Sequence, residues 1–80
     1  MVIENMYVEI LLKEVRQRKK VTLNKLSEKS GISTTHINDI ENNIKKPSLL
    51  VMVQLAKALD VDITELYKVK WWKNIREILG

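Results

Sequence analysis

The stretch from Val21 to Ile40, VTLNKLSEKSGISTTHINDI, constrains the fold of this chain more than any other. Two short helical patterns meet there across Ser30-Gly31. Leu26 is the apolar anchor of the first pattern, and Ser27 is small enough for a second helix to cross close over it. Gly31 can take the left-handed backbone angle that ends a helix, because it has no Cβ to clash. Ile32 plugs the turn. Ile37 and Ile40 lie three apart on one face of the second helix and seal the joint against the rest of the chain.

The remainder reads as further helices with little loop, since there are only two glycines and one proline. Val8, Leu11, Leu12 and Val15 recur at helical spacing, which predicts a first helix from about residue 5 to about residue 19. Thr22 stands where the N-cap of a second helix belongs, covering Leu23 to Lys29. Ser33 opens a third helix ending near Asn43. Pro47 disfavours helix at Lys46, so residues 44–47 form a loop. Ser48 caps a fourth helix with Leu49, Val51, Met52, Leu55, Ala56 and Leu59 as its buried stripe. Asp62 followed by Glu65 is the acidic version of a capping box and starts a fifth helix at Ile63. Trp71, Trp72, Ile75, Ile78 and Leu79 recur at helical intervals in the tail, and no alternating strand pattern is seen. The expected class is all-α: a domain over residues 1–67, then an amphipathic tail helix over 68–80.

At 80 residues the chain holds one small domain, whose core must be economical. Cysteine is absent, so neither disulfides nor a thiolate metal site contribute. No apolar run approaches the roughly 20 residues of a membrane span, and no signal peptide is visible. The expected location is the cytoplasm, with no membrane partner. The net charge of +4 and the isoelectric point near 9.5 suit a polyanionic partner. A two-helix joint of the kind at Val21–Ile40 holds its second helix out from the domain, where it can enter a DNA major groove. Enzyme chemistry has no foothold: there is one histidine, no phosphate-binding glycine loop and no metal-ligand spacing. The expectation is no catalysis, no cofactor and no metal.

The chain resembles the Cro/CI-type (XRE-like) helix-turn-helix family of phage and bacterial regulators. The residues that carry the resemblance are L-x-x-x-R (Leu12 to Arg16), L-x-x-x-x-G-I-S (Leu26 to Ser33) and I-x-x-I-E-N (Ile37 to Asn42). They are followed by K-x-P-S-L (Lys45 to Leu49), L-A-K-A-L-x-V (Leu55 to Val61) and I-T-E-L (Ile63 to Leu66). The match runs in order over about residues 8 to 67. The resemblance implies a compact five-helix, lambda-repressor-like domain whose third helix reads DNA. It also implies a salt bridge between Arg16 and Glu41, chemically sensible because a planar guanidinium can hold a carboxylate through two parallel hydrogen bonds.

Base contacts are expected from Thr34, Thr35, Asn38 and Asp39. The threonines offer hydroxyls and thymine-packing methyls, Asn38 can pair with adenine, and Asp39 can accept from the cytosine amino group. Phosphate contacts are expected from Thr22, Ser33, His36, Asn42, Lys45 and Lys46. His36, the sole histidine, has no neighbours with which to hold a metal. Three features depart from the family pattern. Between Ser30 and Ile44 there is no lysine or arginine, Leu23 stands where many relatives carry glutamine, and Asn43 replaces a glycine. Asparagine tolerates the left-handed angle, so the turn survives.

One such domain covers only a few base pairs, so a homodimer on a two-fold operator is expected, acting as a repressor by occupancy. Tyr7, Trp71, Trp72 and Ile75 are the candidate dimer residues, with packing back over the chain's own core as the other outcome open to them. The competing function is a protein-interaction module on the same fold with weak or no DNA binding, either an antitoxin that covers a toxin or an adaptor; a toxin or an antirepressor is the candidate protein partner. The weakly charged third helix favours that alternative.

Overall fold

The computed structural model describes residues 7–70. In chain order these form strand β1 (Tyr7–Ile10), helices α1 (Leu12–Arg18), α2 (Leu23–Ser30), α3 (Thr34–Glu41) and α4 (Leu49–Leu59), a 3-10 turn (Ile63–Glu65) and strand β2 (Tyr67–Lys70). The helices enclose one core. Leu12, Leu26, Ile37, Ile40, Leu55 and Leu66 are its largest fully buried side chains, joined by Val15, Ile32, Met52, Ala56 and Leu59. Burying such a side chain stabilises a fold by about 1.5–3 kcal/mol. The joint residues Leu26, Ile32, Ile37 and Ile40 are therefore core residues, and α2 and α3 are fixed to the body of the domain from beneath.

Three helices start in the same way. The hydroxyls of Thr22, Ser33 and Ser48 each accept the backbone N–H three residues on, at 3.1 Å. Gly31, at φ 78°, ends α2, and Asn43, at φ 60°, takes the left-handed position after α3. Asp60 fills the same role after α4 at φ 57°.

The ends of the domain correct the all-helical expectation. Tyr7–Ile10 is not the start of the first helix but a strand, antiparallel to Tyr67–Lys70, with Val8 opposite Val69 and Ile10 opposite Tyr67. Only Leu12 and Val15 of the presumed stripe are buried in α1. Ile10 and Tyr67 share one face of this ribbon and pack on the core, so their burial fixes the register. The Leu11 N–H donates to the Leu66 carbonyl at 2.8 Å and anchors the ribbon to the core. The fifth helix is likewise a single 3-10 turn. Its capping box is present, but the chain leaves it at Leu66 to become β2, so there is no room for a second turn. The described residues thus form four α-helices and a two-stranded sheet. Lys68 to Lys70, assigned to a tail helix, belong to β2 and so to the domain itself. Trp71, Trp72 and Ile75 lie outside the described residues. One core assignment also changes. Leu49 is 75% exposed, because it sits a turn before Met52, where no other element covers it.

Candidate nucleic-acid interface

Helix α3 buries Ile37 and Ile40 and turns its other side to solvent. Thr35, Asn38 and Asn42 are all exposed and, spaced by three and four, form one outward stripe. Thr34, His36 and Asp39 flank it half-buried. The structure thus brings the expected base-contacting residues onto a single helix, but of the Thr34-Thr35 pair only Thr35 lies on the exposed stripe, at its N-terminal end.

The tilt of α3 is set by an ion pair with α1. Arg16 Nε donates to Glu41 Oε2 at 2.7 Å and Nη2 to Oε1 at 3.1 Å, a two-pronged contact. The side chains are only 12% and 3% exposed. Arg16 also donates from Nη1 to the Val21 carbonyl at 3.0 Å, which ties the α1–α2 connection into the same cluster. This third contact carried no signal in the sequence, because a backbone acceptor leaves no residue type to read. Ser30 was passed over in the same way. It is buried, and its hydroxyl accepts the Ile32 N–H at 3.1 Å, holding the corner between α2 and α3.

Of the residues expected at phosphates, Asn42 lies on the stripe itself, His36 is half-buried beside it, and Thr22, Ser33, Lys45 and Lys46 are exposed. Thr22 and Ser33 use their hydroxyl oxygens as acceptors inside the helix caps, which leaves each O–H free to donate outward. Lys45 and Lys46 are exposed in the loop after α3. That loop is tied to the helix, because the Ile44 and Lys45 N–H groups donate to the Asp39 carbonyl at 2.8 and 3.3 Å. Arg18 and Lys19 are used elsewhere. Arg18 pairs with Glu65 at 2.8 Å, and Lys19 Nζ donates to the Asp60 carbonyl at 3.5 Å. With Glu41 matched by Arg16, Asp39 is the one carboxylate on the outward side of α3.

A family model described as helix-turn-helix matches residues 12–66. The chain belongs to the helix-turn-helix family of XRE-type transcriptional regulators. The match begins at Leu12 and ends at Leu66, so it leaves out both strands of the ribbon. Among helix-turn-helix relatives, an uncharacterized HTH-type transcriptional regulator of Mycobacterium tuberculosis is 36% identical over 56 residues, 70% of this chain and 40% of that protein. The chain therefore spans less than half the length of that relative. The restriction-modification controller protein C.AhdI of Aeromonas hydrophila is similar in structure, with a TM-score of 0.65 and 30% identity over 68% of this chain and 82% of that one. The N-terminal DNA binding domain of SinR from Bacillus subtilis gives a TM-score of 0.61 at 30% identity, over 66% of this chain and 78% of that domain. Among the described residues no helix is long and apolar enough to cross a membrane.

Proposed function

We propose that this chain binds double-stranded DNA sequence-selectively through α3 and regulates transcription, as a repressor that works by occupancy. The observation that carries the reading is the outward stripe Thr35, Asn38 and Asn42 on a helix whose tilt is locked by the buried-side pair Arg16–Glu41. Its polar side chains match base edges, and the cap hydroxyls of Thr22 and Ser33 with Lys45 and Lys46 match the flanking phosphates. The similarity to a domain described as DNA binding in SinR and to a controller protein supports the same reading.

Selection of bound fragments from a random duplex pool tests it. A two-fold symmetric consensus is expected, with affinity that falls steeply as salt rises. Replacing Lys45 and Lys46 with alanine lowers affinity on every duplex and reduces the salt slope by about one per lysine. Replacing Thr34 and Thr35 with alanine relaxes base preference instead. Failure to enrich any duplex at low salt would end the reading.

The proposed active form is a homodimer. Tyr7 is exposed on β1, and Leu49, Leu50 and Val53 expose a continuous aliphatic surface on the first half of α4, just after the lysine loop. A second copy meeting this surface would cover side chains that are 75% and 68% exposed at Leu49 and Leu50. Sedimentation of the parent chain and of Leu50→Glu tests it: a dimer for the first and a monomer for the second are expected. The alternative reading, a protein-interaction module, draws on the same aliphatic surface and on the lack of any cation within α3. It predicts no salt-dependent affinity for duplex DNA.

A further inference from the structure

Asn42 and Asn38 lie one turn apart on the outward stripe, and their carboxamides are joined. Asn42 Nδ2 donates to Asn38 Oδ1 at 3.2 Å, and both side chains are otherwise exposed. We infer that Asn42 is a positioning residue that holds the Asn38 amide in the orientation that reads adenine. The inference rests on the DNA-binding reading above.

The terminal torsion of a free asparagine is broad and nearly two-fold, so an unheld Asn38 would present its oxygen and its NH₂ in either sense. The bond from Asn42 removes that ambiguity. It uses one lone pair of Oδ1 and turns Nδ2 away from Asn42. The second lone pair and the Nδ2 hydrogens then form an acceptor–donor edge that matches N6–H and N7 of adenine in the major groove. Asn42 is itself well placed for this work. It caps α3, and its backbone N–H donates to the Asn38 carbonyl at 3.0 Å, so the same two residues are linked by main chain and side chain. Asn42 was expected to bind phosphate alone. Its second Nδ2 hydrogen remains available for that, but the first is directed to Asn38.

The test uses a duplex enriched from the random pool by the parent chain, together with its single-base variants. Asn42→Ala is expected to reduce the preference for adenine at one base pair of each half-site by about two- to tenfold, the cost of ordering one more free side chain. Any loss on a shuffled duplex is that of the one phosphate contact open to Asn42, is common to every base variant, and so cancels from the base preference. Asn38→Ala abolishes the same preference, and adding Asn42→Ala to it changes base preference no further. Asn42→Asp exchanges the donor for an acceptor, turns the Asn38 amide over and lowers adenine preference at least as far as Asn42→Ala. A uniform loss across all base variants on Asn42→Ala, or additive effects of the two alanine substitutions, overturns the inference and makes Asn42 a simple phosphate contact. A pool that yields no enriched duplex overturns the DNA reading, and this inference with it.

Discussion

At the α2–α3 joint the corner is made by neighbours. Thr22 and Ser33 cap their own helices, Ser30 accepts from Ile32, and Gly31 supplies the left-handed angle. In the β1–β2 ribbon each strand is made by a partner at the far end of the domain, with Val8 against Val69 and Ile10 against Tyr67. A locally encoded corner can form with little loop-closure cost, whereas a ribbon between distant segments forms only after the core has brought them together. An isolated two-stranded ribbon is marginal in water, so this one depends on Ile10 and Tyr67 packing on the core. The joint is thus the rigid unit that presents a surface, and the ribbon is the clasp that closes the domain.

The largest test of this contrast is a long-range polar contact that the joint uses beside its core packing, the Arg16–Glu41 pair. Removing either Arg16 or Glu41 leaves a largely buried charge unpaired and should cost about 3–5 kcal/mol. Replacing both, as Arg16→Met with Glu41→Leu, should be milder than either single change, because no orphan charge remains. Denaturant unfolding of the four proteins measures this. Two small, additive losses would mean that the pair is not what braces α3, and that the joint stands on its local caps and its core packing.

The same contrast explains what was legible in the sequence. The caps at Thr22, Ser33 and Ser48, the turn at Gly31 and the burial of Leu26, Ile32, Ile37 and Ile40 could be read because each rests on a few adjacent residues. The strands could not. Val8, Leu11, Leu12 and Val15 fit a helical period, and four residues of YVEI are too few for alternation to outweigh it. What decides the matter is pairing with YKVK near the other end, and no local pattern records that. Leu49 was misread for a related reason: the period placed it near the buried stripe, but burial needs a neighbour, and none reaches the first turn of α4. At the site, residue types on the face of α3 were legible, whereas the Asn42–Asn38 bond and the Arg16 contact with the Val21 carbonyl depend on side-chain geometry.

A smaller effect sharpens the local side of the comparison. At Gly31 an added Cβ would meet nothing within 4 Å, so Gly31→Ala should cost only the backbone strain of φ 78°, about 1–2 kcal/mol. Asparagine, which visits this region more readily, should cost less. A larger loss would show that the corner is also limited by packing. On the other side, Val8→Ala and Val69→Ala should each cost about 0.2–1 kcal/mol and combine non-additively, as a cross-strand pair does. Amide exchange should be faster in both strands than in α2 and α3, since the clasp opens before the joint. Equal protection in the two regions would contradict the contrast.

The smallest expected effect lies where the two regimes meet, at the turn that feeds β2. The Asp62 carboxylate accepts the Thr64 backbone N–H at 2.9 Å and the Thr64 hydroxyl at 2.7 Å. These bonds hold its pKa below the ordinary value of 3.8, against a slight opposing desolvation. A carboxyl with a lowered folded-state pKa adds stability that is complete above its unfolded value and is lost as pH falls through the folded one. The contribution is therefore present at neutral pH and disappears only in acid below about pH 4. Asp62→Asn keeps an acceptor but does not titrate, so it should lower the melting point slightly at pH 7 and converge on the parent in acid. If the ribbon relies on this turn for its entry angle, the same substitution will speed amide exchange in Tyr67–Lys70 at neutral pH while leaving α2 and α3 unchanged. Equal acceleration in the helices would place the turn in the core's cooperative unit instead of the clasp's.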